Sequence, residues 1–402
     1  MVAHEFILEN FPKSIRDPKF NGKDLPNCYM TPCVDGVFQN FYYWDTYFIN
    51  VGLIALGDFE MVKNNLNIMK HFALKYGFVP NADHLLKGSQ PPLFTRGVYD
   101  LFIATKDINV IKDYIYACHK EMQFWENDRQ TKIGLNQHKC GFTDEDCSIN
   151  ASYFVERVSG LNKIESQIDP IVMTKDFYAI AESGWDMNLR YASKGNRFAI
   201  HKFVCLDLNC ILYDAEKKLS EMFGIINDVE LMNYYKTKSE TRLQLINKYF
   251  LTKDGIYLDY NFVDDEHSNH ISAASFYPYT FGISKDTEGA KKVFNLLKQE
   301  YGLTSSIEQK GEKLMQWDFP NIWPPLVYFG YLAYKNLGLE EEATFIAASY
   351  KNIVDYNFKK TNKLWEKYNA LNSEVSNSFE YETPTMLGWT AGIYEYILKE
   401  GF

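Results

Sequence analysis

The chain has 402 residues, a formal net charge of −10 and a pI of about 5.4. Because nucleic acids and anionic membrane surfaces attract basic proteins, this acidic balance argues against both as partners. Hydrophobic residues make up 46% of the chain, which is enough to build a sizeable core. The sequence contains no run of roughly 18 apolar residues, so no membrane-spanning segment is predicted.

The predicted elements are mostly helical. The first 50 residues contain four prolines and are expected to be irregular, and helical periodicity dominates after them. Residues 128–170 are richer in polar groups, which predicts loops over a pocket. Residues 256–260 alternate like a short strand or an extended arm. The predicted helices cover residues 59–76, 93–102, 110–125, 200–222, 228–250, 287–301, 324–337, 340–358 and 385–399.

No flexible linker divides the chain, and no fixed repeat is evident. These features predict one all-α domain of paired helices spanning residues 1–402. Helix count alone does not determine whether such helices close into a barrel.

The seven cysteines indicate a reducing compartment. Their number is odd and their spacings match no zinc site, so we expect mostly buried free thiols and no metal. No phosphate-binding glycine loop or dinucleotide fingerprint is present, and no cofactor is expected. The N-terminus lacks the basic start and apolar run of a secretion signal, which favours the cytoplasm. The sequence leaves the oligomeric state open. The cysteines are Cys28, Cys33, Cys118, Cys140, Cys147, Cys205 and Cys210.

Four short segments combine tryptophan with acidic residues, a pairing that suits carbohydrate chemistry. Aromatic faces stack on sugar C–H surfaces, and carboxylates bind hydroxyls or move protons. Charged residues are rarely buried without a partner or a task, so the four segments predict one polar pocket in an apolar body. They cover residues 42–48 (Tyr-Tyr-Trp-Asp-Thr-Tyr-Phe), 183–186 (Ser-Gly-Trp-Asp), 316–321 (Gln-Trp-Asp-Phe-Pro-Asn) and 365–368 (Trp-Glu-Lys-Tyr), the last leading to 379–381.

Asp186 and Glu366 are candidates for the two carboxyl groups that inverting hydrolysis of a glycosidic bond requires. The indole of Trp185 can cover Asp186 and favour its protonated form, as a general acid needs, although Asp186 could instead cap a helix. Glu366 could act as the base, or it could be a solvated loop carboxylate. Glu380, between two aromatic residues, could align water or bind hydroxyls.

Two further aspartates and two amides are candidates for binding sugar hydroxyls. Asp45 and Asp318 each directly follow a tryptophan, and their alternative role is capping or structural hydrogen bonding. Asn81 and Gln90 lie in turn contexts beside prolines, where they could bind hydroxyls or satisfy backbone groups.

Taken in order, these segments resemble the trehalase family of inverting glycoside hydrolases over most of the chain. Residues 38–48 are similar to the family's Arg-Phe-Arg-Glu-x-Tyr-Tyr-Trp-Asp-Ser-Tyr-Phe signature, and residues 182–186 match its Glu-Ser-Gly-Trp-Asp. The other matching segments are Pro-Asn at 80–81, Ser-Gln-Pro-Pro at 89–92, Gln-Trp-Asp-Phe-Pro-Asn at 316–321, and the C-terminal segments at 366–369 and 380–392. Several long matches in one order are specific, whereas each alone would be weak.

This resemblance implies an (α/α)6 barrel in which Asp186 is the general acid and Glu366 the general base. It also implies that Glu380 lies beside the attacking water or the sugar, with Trp185 next to the acid as a further substrate-binding residue. The other residues that it implies for the sugar site are Phe38, Trp44, Asp45, Asn81, Gln90 and Trp317.

The chain departs from the family pattern where arginines would grip the family's disaccharide. Val37 and Gln39 stand in place of arginines, and Asn40 stands in place of a glutamate. Gly88 replaces the arginine before Ser-Gln-Pro-Pro. Residues 149–153, Ile-Asn-Ala-Ser-Tyr, are the best counterpart of the family's Arg-Pro-Glu-Ser-Tyr.

The leading expectation is therefore inverting hydrolysis of a small α-linked glucoside, with trehalose as the first candidate. The missing arginines keep open another α-glucoside or an α-mannoside, such as glucosyl- or mannosyl-glycerate. Lys87 or Arg157 could substitute in part, although a lysine lacks the planar fork of arginine. A non-catalytic sugar-binding protein on the same barrel is the alternative from another class, and the presence of both acids argues against it.

Overall fold

The computed structural model describes residues 2–159, 168–193, 196–309, 315–377, 382–385 and 388–402. Most of these residues are helical, and each strand is only two residues long. The helices are α1 (Ala3–Asn10), α2 (Tyr43–Leu56), α3 (Phe59–Tyr76), α4 (Phe94–Thr105), α5 (Ile108–Asp128), α6 (Asp144–Ser159), α7 (Pro170–Ser183), α8 (Leu206–Ile225), α9 (Val229–Tyr249), α10 (Tyr277–Thr280), α11 (Thr287–Leu297), α12 (Pro324–Asn336), α13 (Glu340–Thr361) and α14 (Gly388–Lys399). The strands are β1 (Ile15–Arg16), β2 (Tyr29–Met30), β3 (Phe203–Val204), β4 (Tyr260–Asn261), β5 (Glu266–His267), β6 (Lys298–Gln299), β7 (Gly302–Leu303), β8 (Asn321–Ile322) and β9 (Tyr368–Asn369).

Within this described part of the chain, six helices contact one another in a closed cycle. The order around the cycle is α2, α4, α8, α10, α12 and α14, and α14 packs back on α2. A second layer lies outside this cycle. In it, α3 packs on α2, α5 on α4, α9 on α8, and α13 on α12. This two-layered ring is the expected (α/α)6 barrel.

Two glycines allow the ring to close. A Cβ atom on Gly52 of α2 would lie 2.4 Å from the Cα atom of Gly392 on α14, and one on Gly392 would lie 2.2 Å from the carbonyl oxygen of Phe48. No side chain fits such distances, so the first and last helices of the cycle touch backbone to backbone.

Aromatic rings fill the centre of the barrel. The ring of Phe329 on α12 lies 5.7 Å from that of Phe48 on α2 and 4.7 Å from that of Tyr277 on α10, centroid to centroid. Tyr47 stacks on the same ring at 6.4 Å. Aromatic side chains bury large areas, so one ring contacted by residues of two neighbouring helices contributes substantially to the core.

The predicted helix at residues 59–76 is confirmed as α3, because both of its ends carry clear signals. The Asp58 carboxylate accepts a hydrogen bond from the Met61 amide at 3.1 Å, and Gly77 ends the helix with φ of +87°. The helix predicted at 200–222 begins later, at Leu206, since a 3-10 turn at Ile200–Lys202 and strand β3 come first. The helix predicted at 287–301 ends at Leu297, where the β6–β7 hairpin starts.

The prediction of loops throughout residues 128–170 is wrong for residues 144–159, which form α6 and pack against α7. The N-terminal 50 residues also contain α1 and the first turns of α2. Of the strand predicted at 256–260, only Tyr260 lies in a strand, β4. No helix among the described residues is long and apolar enough to cross a bilayer.

Short ladders hold the loops at one end of the barrel. Strands β8 and β9 pair antiparallel, with Asn321 opposite Asn369 and Ile322 opposite Tyr368. This pairing brings the loop that carries Trp317 against the loop that carries Glu366, although nearly 50 positions separate them in the sequence.

Candidate active site

A pocket with a volume of about 260 Å³ opens at this end of the barrel. The start of α2, the loop after α3, the end of α7, the two loops joined by β8 and β9, and the start of α14 all contribute side chains to it. Eight of the sequence-predicted site residues meet there. The pocket is lined by Phe38, Tyr42, Trp44, Asp45, Asn81, Leu85, Gln90, Ala181, Gly184, Asp186, Trp317, Trp323, Glu366 and Trp389.

Asp186 lies just beyond the C-terminal end of α7. Gly184 ends that helix with φ of +74°, a left-handed conformation that suits glycine, and the chain then turns toward the pocket. No helix begins at Asp186, because turns and loops follow it, so the helix-capping alternative does not apply. Its side chain is exposed at the pocket, where it can reach a ligand.

Glu366 lines the same pocket as Asp186 and is only 1% exposed. The Lys367 ammonium lies 2.9 Å from its Oε2 atom and is itself fully buried. Burial lowers the pKa of Lys367, and the charge of Glu366 opposes that change. The Trp389 indole donates a hydrogen bond to the Glu366 carbonyl oxygen at 3.0 Å. A buried carboxylate beside a buried ammonium keeps its charge more readily than an isolated one.

Asp45 is the third acid of the pocket and lies in the first turn of α2. Burial raises its pKa well above the usual range, and repulsion from Glu366 and Asp186 adds to the increase. Asp45 therefore senses the charges of the other two acids, and it holds its proton more readily than an isolated aspartate does.

Three tryptophans form one wall of the pocket. The rings of Trp317 and Trp323 stack with centroids 3.8 Å apart and planes 3° apart. Trp389 packs edge-on against Trp323 at 5.7 Å. The Trp323 indole donates to the Gln316 carbonyl oxygen at 3.1 Å, which fixes its orientation. This wall is a rigid apolar surface on which a sugar ring could stack.

The two predicted amides connect the elements that carry the acids. The Gln90 side-chain oxygen accepts a hydrogen bond from the Trp44 amide at 2.8 Å, at the start of α2. The Asn81 side chain donates to the Ala181 carbonyl oxygen at 3.2 Å, near the end of α7. Both amides line the pocket as well, so they combine structural hydrogen bonding with access to a ligand.

A buried ion pair that the sequence interpretation missed holds the wall beside Asp186. The Nε and Nη2 atoms of the Arg129 guanidinium donate to the two oxygen atoms of the Glu182 carboxylate at 2.9 and 2.8 Å. The same carboxylate accepts the backbone amides of Ser89 and Lys139 at 3.2 and 3.1 Å. Burial alone would raise the pKa of Glu182, but Arg129 and the nearby His138 outweigh it and lower that pKa to about 2.

Two of the predicted residues are described but do not line the pocket. Asp318 does not line the pocket; it binds the His270 ring at 2.9 Å and accepts the Leu189 amide at 2.8 Å. Trp185 is fully buried behind the pocket, with the Arg190 guanidinium 4.2 Å from the centre of its ring. Glu380 lies outside the described residues.

Among the described residues, no cation replaces the missing arginines in the pocket wall. Val37 is 72% exposed, and Gln39 donates to the Gly36 carbonyl oxygen. Lys87 pairs with Asp146 at 2.8 Å. Among the described residues that line the pocket, none is an arginine or a lysine. The Arg157 side chain is outside the described part of the structure.

Similar proteins were found at the levels of family, sequence and structure. The trehalase family model matches residues 16–401. A trehalase from Tenebrio molitor is 27% identical over 98% of this chain and 77% of its own length. A periplasmic trehalase from Escherichia coli is 28% identical over 92% of this chain and 68% of its own length.

Two solved structures share the fold. A neutral trehalase from Saccharomyces cerevisiae matches with a TM-score of 0.77 at 19% identity, over 96% of this chain and 76% of that one. A mannosylglycerate hydrolase from Thermus thermophilus matches with a TM-score of 0.68 at 14% identity, over 98% and 99% of the two chains. The family match over nearly the whole chain carries the assignment: the chain belongs to the trehalase family of glycoside hydrolases.

Proposed function

We propose that this protein hydrolyses a small α-linked glucoside with inversion at the anomeric carbon, and that trehalose is its first candidate substrate. The observation that supports the proposal best is that Asp186 and Glu366, 180 positions apart in the sequence, line one aromatic-walled pocket. Inverting hydrolysis needs two such carboxyl groups on opposite sides of a bound sugar, with space for one water.

In the proposed mechanism, Asp186 donates its proton to the glycosidic oxygen as the bond to the anomeric carbon breaks. Glu366 accepts a proton from the water that attacks the opposite face of the sugar. Lys367 favours the ionised form of Glu366 through the contact at 2.9 Å. A bound sugar that excludes water from Asp186 would favour the protonated form of that carboxyl group.

The sugar site is assigned to the residues around these two acids. The stacked pair of Trp317 and Trp323 offers an apolar face to the ring, and Asp45 offers a carboxyl group to its hydroxyls. The side-chain oxygen of Gln90 accepts a hydrogen bond from the Trp44 amide of α2. We therefore assign the NH₂ group of Gln90 as a donor to a sugar hydroxyl.

Trehalose is the first candidate because the relatives from Tenebrio molitor and Escherichia coli are named trehalases. Glucosyl- and mannosyl-glycerate fit less well on charge. Their glycerate is an anion, and the described pocket residues include three acids but no arginine or lysine.

The test is hydrolysis of trehalose by the purified protein and by two isosteric variants, Asp186→Asn and Glu366→Gln. Each variant should lose activity by about a hundredfold or more, because each removes one proton-transfer group. The matched controls are Asp254→Asn and Glu374→Gln, which change side chains outside the pocket and should keep the activity of the parent.

The stereochemistry is tested separately by NMR of the first-formed glucose. Inversion at the attacked carbon of trehalose gives one β-glucose, while the leaving glucose keeps its α configuration, so equal amounts of the two anomers are expected before mutarotation; first-formed glucose that is all α would contradict the inverting mechanism. A sugar-induced rise in melting temperature without turnover of any α-glucoside would instead favour a non-catalytic binding protein.

A cytoplasmic location is also proposed. All seven cysteines are free thiols in the structure, although Cys140 and Cys147 lie with sulfur atoms 3.8 Å apart. Free thiols persist in reducing compartments. Fractionation of the native cell, with a periplasmic or secreted marker as the control, tests this location.

A further inference from the structure

A second cavity, with a volume of about 190 Å³, adjoins the sugar pocket. The two share wall residues Asn81, Leu85, Ala181 and Asp186. Glu366 lines only the first cavity, whereas Asp186 lies at the junction of both. Because the general acid protonates the leaving oxygen, the space beyond Asp186 and away from Glu366 is on the leaving-group side. The second cavity is called the aglycone pocket below.

Aromatic rings from α6, α7 and the loop before α6 form the aglycone pocket. The ring of Phe142 stacks on Tyr178 with centroids 4.1 Å apart, and Phe154 stacks on Phe177 at 5.2 Å. Phe154 also packs edge-on against Tyr178 at 5.3 Å, so the four rings form one connected surface. The remaining apolar side chains of the wall are Leu85, Ile180, Ala181 and Met187.

Most polar groups of this wall are already hydrogen-bonded within the protein. The Ser89 hydroxyl donates to the Val79 carbonyl oxygen at 2.7 Å, and the Asn81 side chain donates to Ala181. The Glu182 carboxylate is taken by Arg129 and two backbone amides. Burying a hydroxyl without a partner is unfavourable, so an apolar leaving group gains more from this surface than one with many hydroxyls. The leaving glucose of trehalose would therefore gain less here than an aryl or alkyl group.

We infer, on the basis of the proposed function, that the aglycone pocket binds apolar leaving groups and that aryl and alkyl α-glucosides are substrates. Hydrolysis breaks the bond between the anomeric carbon and the glycosidic oxygen. The oxygen of water forms the new bond, its proton goes to Glu366, and the proton of Asp186 goes to the departing alcohol. The products are glucose and an aryl or alkyl alcohol, and no other reactant is needed.

The decisive comparison uses benzyl α-D-glucoside and glyceryl α-D-glucoside. Both leaving groups are primary alcohols with similar space requirements, but one is an aromatic ring and the other carries hydroxyls. Burial of a phenyl ring predicts a kcat/KM that is roughly ten- to a hundredfold higher for the benzyl compound. Equal values, or a higher value for the glyceryl compound, would overturn the inference while leaving the hydrolase assignment intact.

Two variants locate the effect. Phe142→Asn and Phe154→Asn should each reduce the benzyl-to-glyceryl ratio by about tenfold, because each removes apolar surface from the aglycone pocket. Val172→Asn is the matched control, since Val172 lies on α7 with Phe177 and Tyr178 but outside the pocket, and its ratio should stay at the parent value. An unchanged ratio in both aromatic variants would contradict the location.

A third variant adds a cation instead of removing a ring, in case the aromatic variants fail to fold. A Cβ atom on Gly88 would have the Glu182 carboxylate at 4.0 Å as its nearest neighbour, so a side chain fits there. Gly88→Arg should lower the benzyl-to-glyceryl ratio, because a guanidinium in this wall gives hydroxyls a donor. An increase in that ratio would count against the inference.

Trehalose hydrolysis, measured beside these assays, keeps the two proposals separate. If no glucoside is hydrolysed, the proposed function fails, and calorimetric binding of benzyl 1-thio-α-D-glucoside against its methyl analogue still tests the pocket. Binding of the benzyl compound about tenfold more tightly would support the apolar pocket, and equal binding would refute it.

Discussion

The buried pair of Glu182 and Arg129 permits a quantitative prediction for the variant Glu182→Gln. Both side chains are nearly inaccessible, at 1% and 6% exposure. The substitution keeps the shape of the side chain but removes its charge. It leaves the guanidinium of Arg129 buried without a counter-charge, and it weakens the contacts to the Ser89 and Lys139 amides.

The magnitude follows from the pKa of Glu182, which is about 2 in the folded protein against an ordinary value of 4.5. At 1.36 kcal/mol per unit, this difference corresponds to about 3 kcal/mol of stability at pH 7. Because the pKa is depressed, the stabilisation is present above pH 4.5 and is lost as the pH falls toward 2. At pH 3 only about 1 kcal/mol remains, so the gap between parent and Glu182→Gln should narrow by about 2 kcal/mol.

The assay is urea unfolding of the parent and the variant at pH 7 and pH 3. The matched control is Glu60→Gln, which removes a pair with Lys63 at 2.9 Å on the exposed surface of α3. Surface pairs contribute roughly 0–1 kcal/mol, so the control should change stability little at either pH. The reasoning fails if Glu182→Gln lowers the free energy of unfolding no more than the control does. A loss that is the same at both pH values would falsify the assignment of the Glu182 charge as the stabilising element.

Three further predictions concern the acids of the sugar pocket. Lys367→Met removes the ammonium 2.9 Å from Glu366, so the acidic limb of the kcat/KM profile should move up by about one to three pH units; Lys351→Met, at a surface pair, should leave the profile unchanged. Asp45→Asn should raise the urea midpoint at pH 7 but not at pH 4, and it should lower the activity. The reason is that a carboxyl group whose pKa is raised in the folded protein reduces stability above its unfolded pKa. An equal change of the midpoint at both pH values would contradict this. The parent should show a bell-shaped kcat/KM profile, and a flat profile from mildly acidic to alkaline pH would exclude two titrating groups.

Much of the fold could be predicted because helical periodicity and end signals are local. Helix α3 has both signals, and its prediction is correct at both ends. Helix α6 was missed although its N-terminus has a recognisable signal. The Thr143 hydroxyl oxygen accepts the Asp146 amide at 3.2 Å, and the Asp146 carboxylate accepts the Thr143 amide at 3.0 Å, which is a capping box with aspartate in the third position. The polar composition of the segment concealed that signal.

The site could be predicted in part because its tryptophan and acid residues are neighbours in the sequence. Tryptophan next to aspartate does not, however, show which of the two faces the pocket. Trp317 lines it while Asp318 binds His270 behind it, and Asp186 lines it while Trp185 is buried. Such differences depend on the backbone conformation of each loop, which neighbouring residue types do not specify.

The acids of the pocket also depend on a contact that no local pattern reveals. Asp45 lies on α2 and Glu366 lies shortly before α14, so their approach requires the two ends of the helix cycle to meet. Gly52 and Gly392 permit that meeting, because a side chain at either position would push the helices apart. Burial raises the pKa of Asp45, and the charges of Glu366 and Asp186 raise it further, so bringing the carboxyl groups together is itself unfavourable. The backbone contact between α2 and α14, together with the aromatic core around Phe329, must therefore stabilise the closed ring against the repulsion that the proposed chemistry needs.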